Sequence, residues 1–242
     1  MPAASKPGLA FRIFALRTVT FAIGSLGLVW GISNLASGAA ADDFRDVEAR
    51  LLRFETFNRS AAIRMLEGAA VENVGACDNH SQRVLLLLEI PLADAALRSG
   101  AFHEYDQHIQ SLEARVRRIL NCSPRESFVW LAAFGLEIEH GVLNEHSFDL
   151  LAMSYETSPN EAWVAVRRIV VAIPVVFAAP EAVRQKILTE FEHLVSDRFI
   201  EIPARAYLNA PAAVRTLLQS RIDQLDPLSQ SAFSDALHKL RS

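Results

Sequence analysis

The sequence lacks the short motifs that mark the commonest nucleotide-dependent and acyl-transfer enzymes. It contains no GxSxG, no GxxxxGK and no GxGxxG. These patterns position a nucleophilic serine, cradle phosphate groups or bind a dinucleotide. Acyl transfer, nucleotide hydrolysis and dinucleotide-dependent chemistry therefore have no motif in this chain.

An excess of basic charge is also missing. The formal net charge is -4, and residues 1–41 carry three basic residues and no acid. Residues 42–242 therefore hold 21 basic and 28 acidic residues, a formal charge of -7. Such a surface repels phosphate backbones, and no Lys/Arg run is interleaved with aromatic residues. The composition argues against nucleic-acid binding.

Charge is absent altogether from Thr18 to Ala41. Lys6, Arg12 and Arg17 precede this stretch, and three aspartates follow within five residues of its end. At 1.5 Å per residue the stretch is long enough to span a bilayer, and the Lys/Arg bias keeps its N-terminal side in the cytoplasm. We predict a single-pass protein of the bacterial inner membrane. Residues 1–41 form the cytoplasmic N-terminus and anchor, and residues 42–242 form a periplasmic domain.

Two alternatives to a retained anchor stay open. Ala39, Ala40 and Ala41 offer an A-x-A cleavage site, which would release a soluble periplasmic protein, although the uncharged run is longer than a usual signal-peptide core. The stretch is also compatible with a buried helix of a soluble protein. Gly27 and Gly31 form a GxxxG pattern, which would let two such helices approach closely and self-associate.

A Ser-Pro-x-Glu pattern occurs twice, 35 residues apart. It begins at Ser123, ending with Glu126, and again at Ser158, ending with Glu161. In a capping box the Ser hydroxyl accepts from the N–H three residues later, and the Glu reaches back to the Ser N–H. Pro fits the first helical position. Two helix starts at this interval predict an array of antiparallel helical hairpins.

Apolar residues recur three and four positions apart along most of the remaining chain, which predicts an all-α fold. Pro91 is expected to kink one helix, Gly100 to end it, and Pro203 and Pro211 to open short helices. No Gly/Ser-rich linker divides residues 42–242, so they are predicted to form one domain. The predicted helices are 44–58, 60–72, 81–99, 102–120, 161–171, one from residue 180, and a closing helix at 228–240.

The two cysteines are expected to form a disulfide. Cys77 precedes one predicted helix and Cys122 follows its antiparallel neighbour, so both fall at the same end of a hairpin. In an exported chain this placement favours a disulfide, whereas two unpaired buried thiols would fit a cytosolic protein. Neither cysteine belongs to a CxxC motif, and a paired cysteine is no nucleophile.

The central segment resembles a tetratricopeptide repeat. The resemblance covers about one repeat and departs from it in having Ile at the usual Tyr position and Ser at both small Ala positions. It implies a short right-handed solenoid whose concave face binds a protein partner and which has no chemistry of its own. The residues that carry the resemblance are Leu131, Phe134, Gly135, Ile138, Ser147, Leu151, Ser154 and Pro159.

Other side chains have both a functional and a structural interpretation, and the structural one is favoured for each. His103 and His108 are five residues apart and cannot grip one zinc ion from a regular helix. Trp130 and Trp163 are expected to lock hairpin to hairpin rather than to stack on a ligand. The basic run 115–118 complements a helix C-terminus. Around the Gly141 turn, several side chains are interpreted as ordinary polar residues of helix ends, and the alternative is a divalent-metal or proton-sensitive site. These residues are Glu137, Glu139, His140, Glu145 and His146.

The combined features predict a non-enzymatic scaffold for protein–protein interactions, tethered to the membrane and facing the periplasm. It is expected to need no metal or other cofactor. It is also expected to assist the assembly of an envelope complex. The chain resembles small tetratricopeptide-like envelope proteins, and this resemblance suggests that the complex is related to polysaccharide. The alternative is a periplasmic small-ligand binder or enzyme with its site in the concave groove.

Overall fold

The protein is all-helical, as predicted. The computed structural model describes residues 8–52, 58–68, 71, 74–75 and 77–241, and within these ranges it contains eleven α-helices, a 3₁₀ turn at Ile173–Val175 and no strand. The helices are α1 (Gly8–Leu52), α2 (Arg59–Leu66), α3 (Asn79–Ser99), α4 (Phe102–Cys122), α5 (Ser127–Glu139), α6 (Glu145–Thr157), α7 (Ala162–Ala172), α8 (Glu181–Ser196), α9 (Glu201–Asn209), α10 (Ala212–Ile222) and α11 (Pro227–Arg241).

Helices α3 and α4 pack against each other as an antiparallel pair. Gly100 ends α3 in the left-handed conformation, with φ of 74°, so this predicted stop is confirmed. Pro91 lies within α3, which continues on both sides of it. The apolar faces of the two helices meet in the core and bury Val84, Leu85, Leu88 and Leu92 of α3 and Leu112, Val116 and Ile119 of α4.

Helices α5 and α6 form the next pair, and it contains the repeat-like residues. Gly141 turns the chain with φ of 72°, and Asn144 caps α6 by accepting from the Ser147 N–H at 3.1 Å. The Phe134 and Phe148 rings lie 5.8 Å apart across the pair. Leu131, Phe134, Ser147, Leu151 and Ser154 are buried, Ile138 is half-buried, and Gly135 has open space where a Cβ would lie.

From α5 onward the helices contact one another in two rows. Helix α5 contacts α7, α7 contacts α9, and α9 contacts α11. In the other row α6 contacts α8, and α8 contacts α10. In α8, the helix predicted from residue 180, the apolar residues spaced three and four positions apart are all buried, namely Val183, Ile187, Phe191 and Leu194. At the C-terminal end, Asp226 caps α11 by accepting from the backbone N–H groups of Leu228 and Ser229.

The prediction that the Ser-Pro-x-Glu patterns are capping boxes is wrong. Helices α5 and α7 begin four residues after Ser123 and Ser158, and these serines instead end α4 and α6. Glu126 and Glu161 occupy the N-cap positions without a side-chain capping hydrogen bond. Proline disfavours helical geometry in the residue before it, so each pattern ends one helix and turns the chain toward the next. The two patterns therefore mark two equivalent connections, one between α4 and α5 and the other between α6 and α7.

Helix α1 runs without interruption from Gly8 to Leu52, through the predicted boundary between residues 41 and 42. Among the residues that the structure describes, no helix combines the length and the apolarity that crossing a membrane requires. The side chains of residues 32–43 lie outside the described part of the chain, and with them the A-x-A site and much of the predicted span. Both the anchor and its cleavage stay predictions.

Candidate functional site

The described N-terminal part of α1 exposes apolar side chains on all sides. Ideal Cβ atoms at Gly24, Gly27 and Gly31 would meet no other atom within 4 Å. A shallow open groove of about 600 Å³ follows one face of this helix, past Thr20, Gly24 and Leu28. The exposed side chains are each 55% to 78% accessible and comprise Phe14, Leu16, Val19, Phe21, Ile23, Leu26, Leu28, Val29 and Trp30.

The C-terminal part of α1, in contrast, is docked on the body. Phe44, Val47 and Leu51 are buried, which agrees with the first part of the helix predicted at residues 44–58; residues 53–57 lie outside the described residues. Between these apolar positions, the Glu48 carboxylate accepts from Arg83 of α3 at 2.6 Å. Continuity of the helix therefore connects the exposed apolar segment directly to the core.

Two more charged or polar side chains contact the Glu48–Arg83 ion pair at this junction. His80 Nδ1 lies 3.0 Å from Glu48, and Arg83 also donates to Glu126 at 3.0 Å. Burial alone would lower the pKa of Arg83, but the Glu48 and Glu126 carboxylates raise it above its ordinary value. Glu126 is thus engaged with Arg83, which explains why its carboxylate does not cap α5.

Trp163 packs at the same junction, as the predicted lock between hairpins. Its ring lies 5.4 Å from the Phe128 ring, with the Arg83 and Arg167 guanidinium groups 5.8 and 5.3 Å from its centroid. Arg167 donates to the Leu51 carbonyl at 2.8 Å, which ties α7 to the end of α1. Burial lowers the pKa of Arg167 to about 10. Trp130 donates to the Pro124 carbonyl at 2.7 Å and holds the α4–α5 link.

A buried ion pair lies between α7 and α8, and its hydrogen bonds to α6 join the α5–α6 and α7–α8 pairs. Arg168 has no solvent exposure and donates to Glu190 at 2.6 and 2.9 Å through two nitrogens. Its third nitrogen donates to the backbone carbonyls of Ser154 and Ser158 at 2.9 and 3.2 Å. The Tyr155 hydroxyl donates to the other Glu190 oxygen at 3.0 Å. All three guanidinium nitrogens are therefore hydrogen-bonded, which is the condition for tolerating a buried charge.

Burial dominates the electrostatics of this network. It raises the pKa of Glu190, against the opposing effects of Arg168 and Tyr155. It also raises the pKa of Tyr155 well above its ordinary value, and the neighbouring Glu190 charge adds to that effect. Sequence reasoning missed Arg168 and Glu190, although a signal was present. Arg168 stands in an apolar helix, and Glu190 shares the helical face of Val183, Ile187 and Leu194.

The residues considered as metal ligands belong to separate contacts. His108 lies 3.3 Å from Glu89 and His103 lies 3.3 Å from Gln107. Near the Gly141 turn, Glu139 accepts from Tyr105 at 2.7 Å, whereas His140 pairs with Glu113 at 2.9 Å. Across the described residues, no three histidine, cysteine or carboxylate side chains come together in a way that could hold a metal ion.

The disulfide between Cys77 and Cys122 is confirmed, with their Cα atoms 5.3 Å apart. It joins the segment before α3 to the end of α4. The predicted role of the basic run at residues 115–118 is corrected in part, because Arg115 points into the α3–α4 interface. There it donates to Gln82 at 2.7 Å and lies 3.7 Å from Glu89.

Tyrosine ionisation provides a test of these contacts. Partial burial and the hydrogen bond to Glu139 raise the pKa of Tyr105 to about 12. Because the folded-state pKa exceeds the ordinary value of about 10, the stabilising contribution is complete below pH 10 and is lost between about pH 10 and 12. In a tyrosinate absorbance titration, Tyr105→Phe should remove one group titrating near pH 12, and Tyr155→Phe should remove another group whose pKa lies well above the ordinary value. Titration of both Tyr105 and Tyr155 at the ordinary pKa would contradict both contacts.

Comparison with protein-family models, with curated proteins and with solved structures finds no match to this chain. The function is therefore inferred from the geometry of the described residues. Its main features are an exposed apolar helix segment, a polar junction that fixes this helix to the body, and an interior joined by a buried ion pair.

Proposed function

We propose that this protein is a non-enzymatic interaction scaffold, held to a membrane by α1 and facing the periplasm, where it assists the assembly of an envelope complex. The observation that carries the proposal is the contrast within α1. One part of the helix exposes apolar side chains around its circumference, and the other part is fixed to the body.

An exposed apolar segment of this extent needs an apolar environment, because water-exposed apolar surface is costly. Lipid is the environment that surrounds a helix on all sides, whereas a groove in another protein covers one face. The charge distribution also supports a membrane span with its N-terminus in the cytoplasm, since Lys6, Arg12 and Arg17 precede the segment and aspartates follow it. The disulfide suits an oxidising compartment such as the periplasm.

The body has the features of a scaffold in this proposal. Its two rows of helices are what a short right-handed solenoid of hairpins would produce, and the α5–α6 pair carries the residues that resemble a tetratricopeptide repeat. Arrays of this kind present an extended surface to a protein partner without catalysis. The hydrogen bonds of Arg168 to the Ser154 and Ser158 carbonyls, and of Tyr155 to Glu190, would keep the α5–α6 and α7–α8 hairpins in one register.

Membrane retention tests the proposal directly. The full chain should remain in the membrane fraction after alkaline carbonate washing, with its N-terminal residues intact by mass spectrometry. Because a charged residue at the centre of a span costs about 2.5–3.5 kcal/mol, Leu26→Arg with Val29→Arg, near the middle of the predicted span, should lower the retained fraction by about tenfold or more. Leu228→Arg is the matched control, since it changes an exposed apolar residue of α11.

Two results would contradict the tether. One is an unmodified chain recovered mainly in the soluble fraction, and the other is a mature N-terminus near Asp42. The cleaved chain would leave the periplasmic ligand binder or enzyme as the better hypothesis, whereas the unmodified soluble chain would favour a buried helix in a soluble protein.

A further inference from the structure

Three turns of the body each present a large apolar side chain to solvent. Phe102 follows the α3–α4 turn and is 65% exposed. Leu143 lies in the α5–α6 turn and is 40% exposed, and Phe177 lies between α7 and α8 and is 51% exposed. Isolated exposed apolar residues are ordinary, but one large apolar residue at the turn of each of three successive hairpins can form a surface.

These turns lie at the same end of the body. Tyr105, one turn into α4, hydrogen-bonds Glu139 at the end of α5, so these two helices run antiparallel with the α3–α4 and α5–α6 turns side by side. Arg168 of α7 binds the carbonyls of Ser154 and Ser158 at the end of α6, so α6 and α7 are also antiparallel. Because consecutive helices alternate in direction, the α7–α8 turn falls at the same end.

Hydrogen bonds hold the backbone of two of these turns, so binding there would require little backbone ordering. In the α5–α6 turn the Val142 N–H donates to the Glu137 carbonyl at 2.8 Å, beside the Asn144 cap. The Phe177 turn is closed by Arg184, whose guanidinium donates to the carbonyls of Val176, Phe177 and Ala179 at 3.2, 3.1 and 2.9 Å. Preorganised contact residues lower the entropic cost of association.

The charge around these turns is mainly acidic. Asp106, Glu139, Glu145 and Asp149 are exposed on α4, α5 and α6. Three nearby arginines are paired within the chain, Arg59 with Glu104, Arg98 with Asp94, and Arg184 with Glu181 and the turn carbonyls; His103 and His146 are also exposed here. A surface that combines apolar anchors with negative charge is complementary to a basic segment that carries apolar side chains.

We propose that this turn edge, defined by Phe102, Leu143 and Phe177 with Asp106, Glu139 and Glu145, docks a basic segment of a protein partner. The negative charge selects this occupant, because a second copy of the chain would bring like charges together and an anionic lipid surface would be repelled. The inference rests on the proposed scaffold function and names the chemistry of the partner and the place where it binds.

A synthetic helical peptide of lysine and alanine with two leucines four residues apart serves as the probe. Its binding to the full-length protein in phosphatidylcholine nanodiscs is measured by fluorescence anisotropy, with binding to empty nanodiscs subtracted. Phe102→Ser with Phe177→Ser should raise Kd about tenfold, as expected when apolar anchors are lost. Glu139→Lys with Glu145→Lys should raise it about tenfold at low salt and less at high salt.

Leu228→Ser is the matched control, because Leu228 is 69% exposed but lies at the start of α11, away from the three turns. It should leave Kd unchanged, and circular dichroism should show that all variants remain helical. Failure of the lysine peptide to bind would overturn the inference, as would equal binding of a glutamate version or an equal loss with Leu228→Ser. A change of oligomer mass in the Phe102 and Phe177 variant would instead assign the edge to a second copy.

The membrane-retention experiment distinguishes failure of this inference from failure of the proposed tether. A protein that stays in the membrane but does not bind the lysine peptide contradicts only the turn edge. A protein that binds the peptide but is found in the soluble fraction supports the edge and contradicts the tether.

Discussion

Arg168→Ala should destabilise the protein by about 3–5 kcal/mol in urea denaturation, because it leaves Glu190 as a buried charge without its partner. Glu190→Ala should have an effect of similar size for the converse reason. Arg168 is fully buried and Glu190 is 8% exposed, so neither group regains water when the other is removed. The change would also release the carbonyls of Ser154 and Ser158 from their side-chain donor.

Two comparisons separate the charge from the packing. Arg168→Met with Glu190→Leu removes both charges together, and it should recover most of the lost free energy of unfolding. Tyr155→Phe removes a single hydrogen bond to Glu190 and should cost only about 1–2 kcal/mol. An Arg168→Ala variant that loses less than about 1 kcal/mol would show that this ion pair does not stabilise the interior.

Replacing both cysteines by serine should lower the free energy of unfolding by about 4 kcal/mol. The disulfide joins residues 45 positions apart, and closing a loop of that length removes much of the conformational entropy of the unfolded chain. The loss should be seen as a lower urea midpoint with a larger m value, since the unfolded chain becomes less compact.

Chemical reduction of the unmodified chain supplies an independent check on the same bond. The reduced protein and the double serine variant should unfold at about the same urea concentration, and the reductant should leave the variant unchanged. A double variant as stable as the oxidised protein would mean that the covalent link contributes nothing beyond the packing of α3 on α4.

The outcome for particular residues shows what could be predicted from local sequence. Gly100 ends α3 because it adopts a left-handed conformation that side chains disfavour, and the stripe of α8 is buried because its apolar residues share one helical face. Both properties depend on residues within a few positions of each other. The pairing of Cys77 with Cys122 also followed from local information, since the helix and its return place both residues at one end of a hairpin.

The Ser-Pro-x-Glu pattern shows where such reasoning ends. Its spacing correctly marked two equivalent connections between helices. Whether each serine caps the next helix or ends the previous one depended on the effect of proline on the residue before it. It depended also on Arg83, 43 residues away from Glu126, which binds that carboxylate.

By itself the sequence determined the helical class, the principal turns, the disulfide and the position of an uncharged apolar stretch, because each arises from periodicity or from the conformational preferences of neighbouring residues. Only the tertiary structure decided that Arg168 would find Glu190 in the core, that Glu48 would fix α1 to α3, and that three turns would share one end of the body. These relations join residues distant along the chain. A single sequence states where such residues stand but not which partners meet, since that follows from how all the helices pack together.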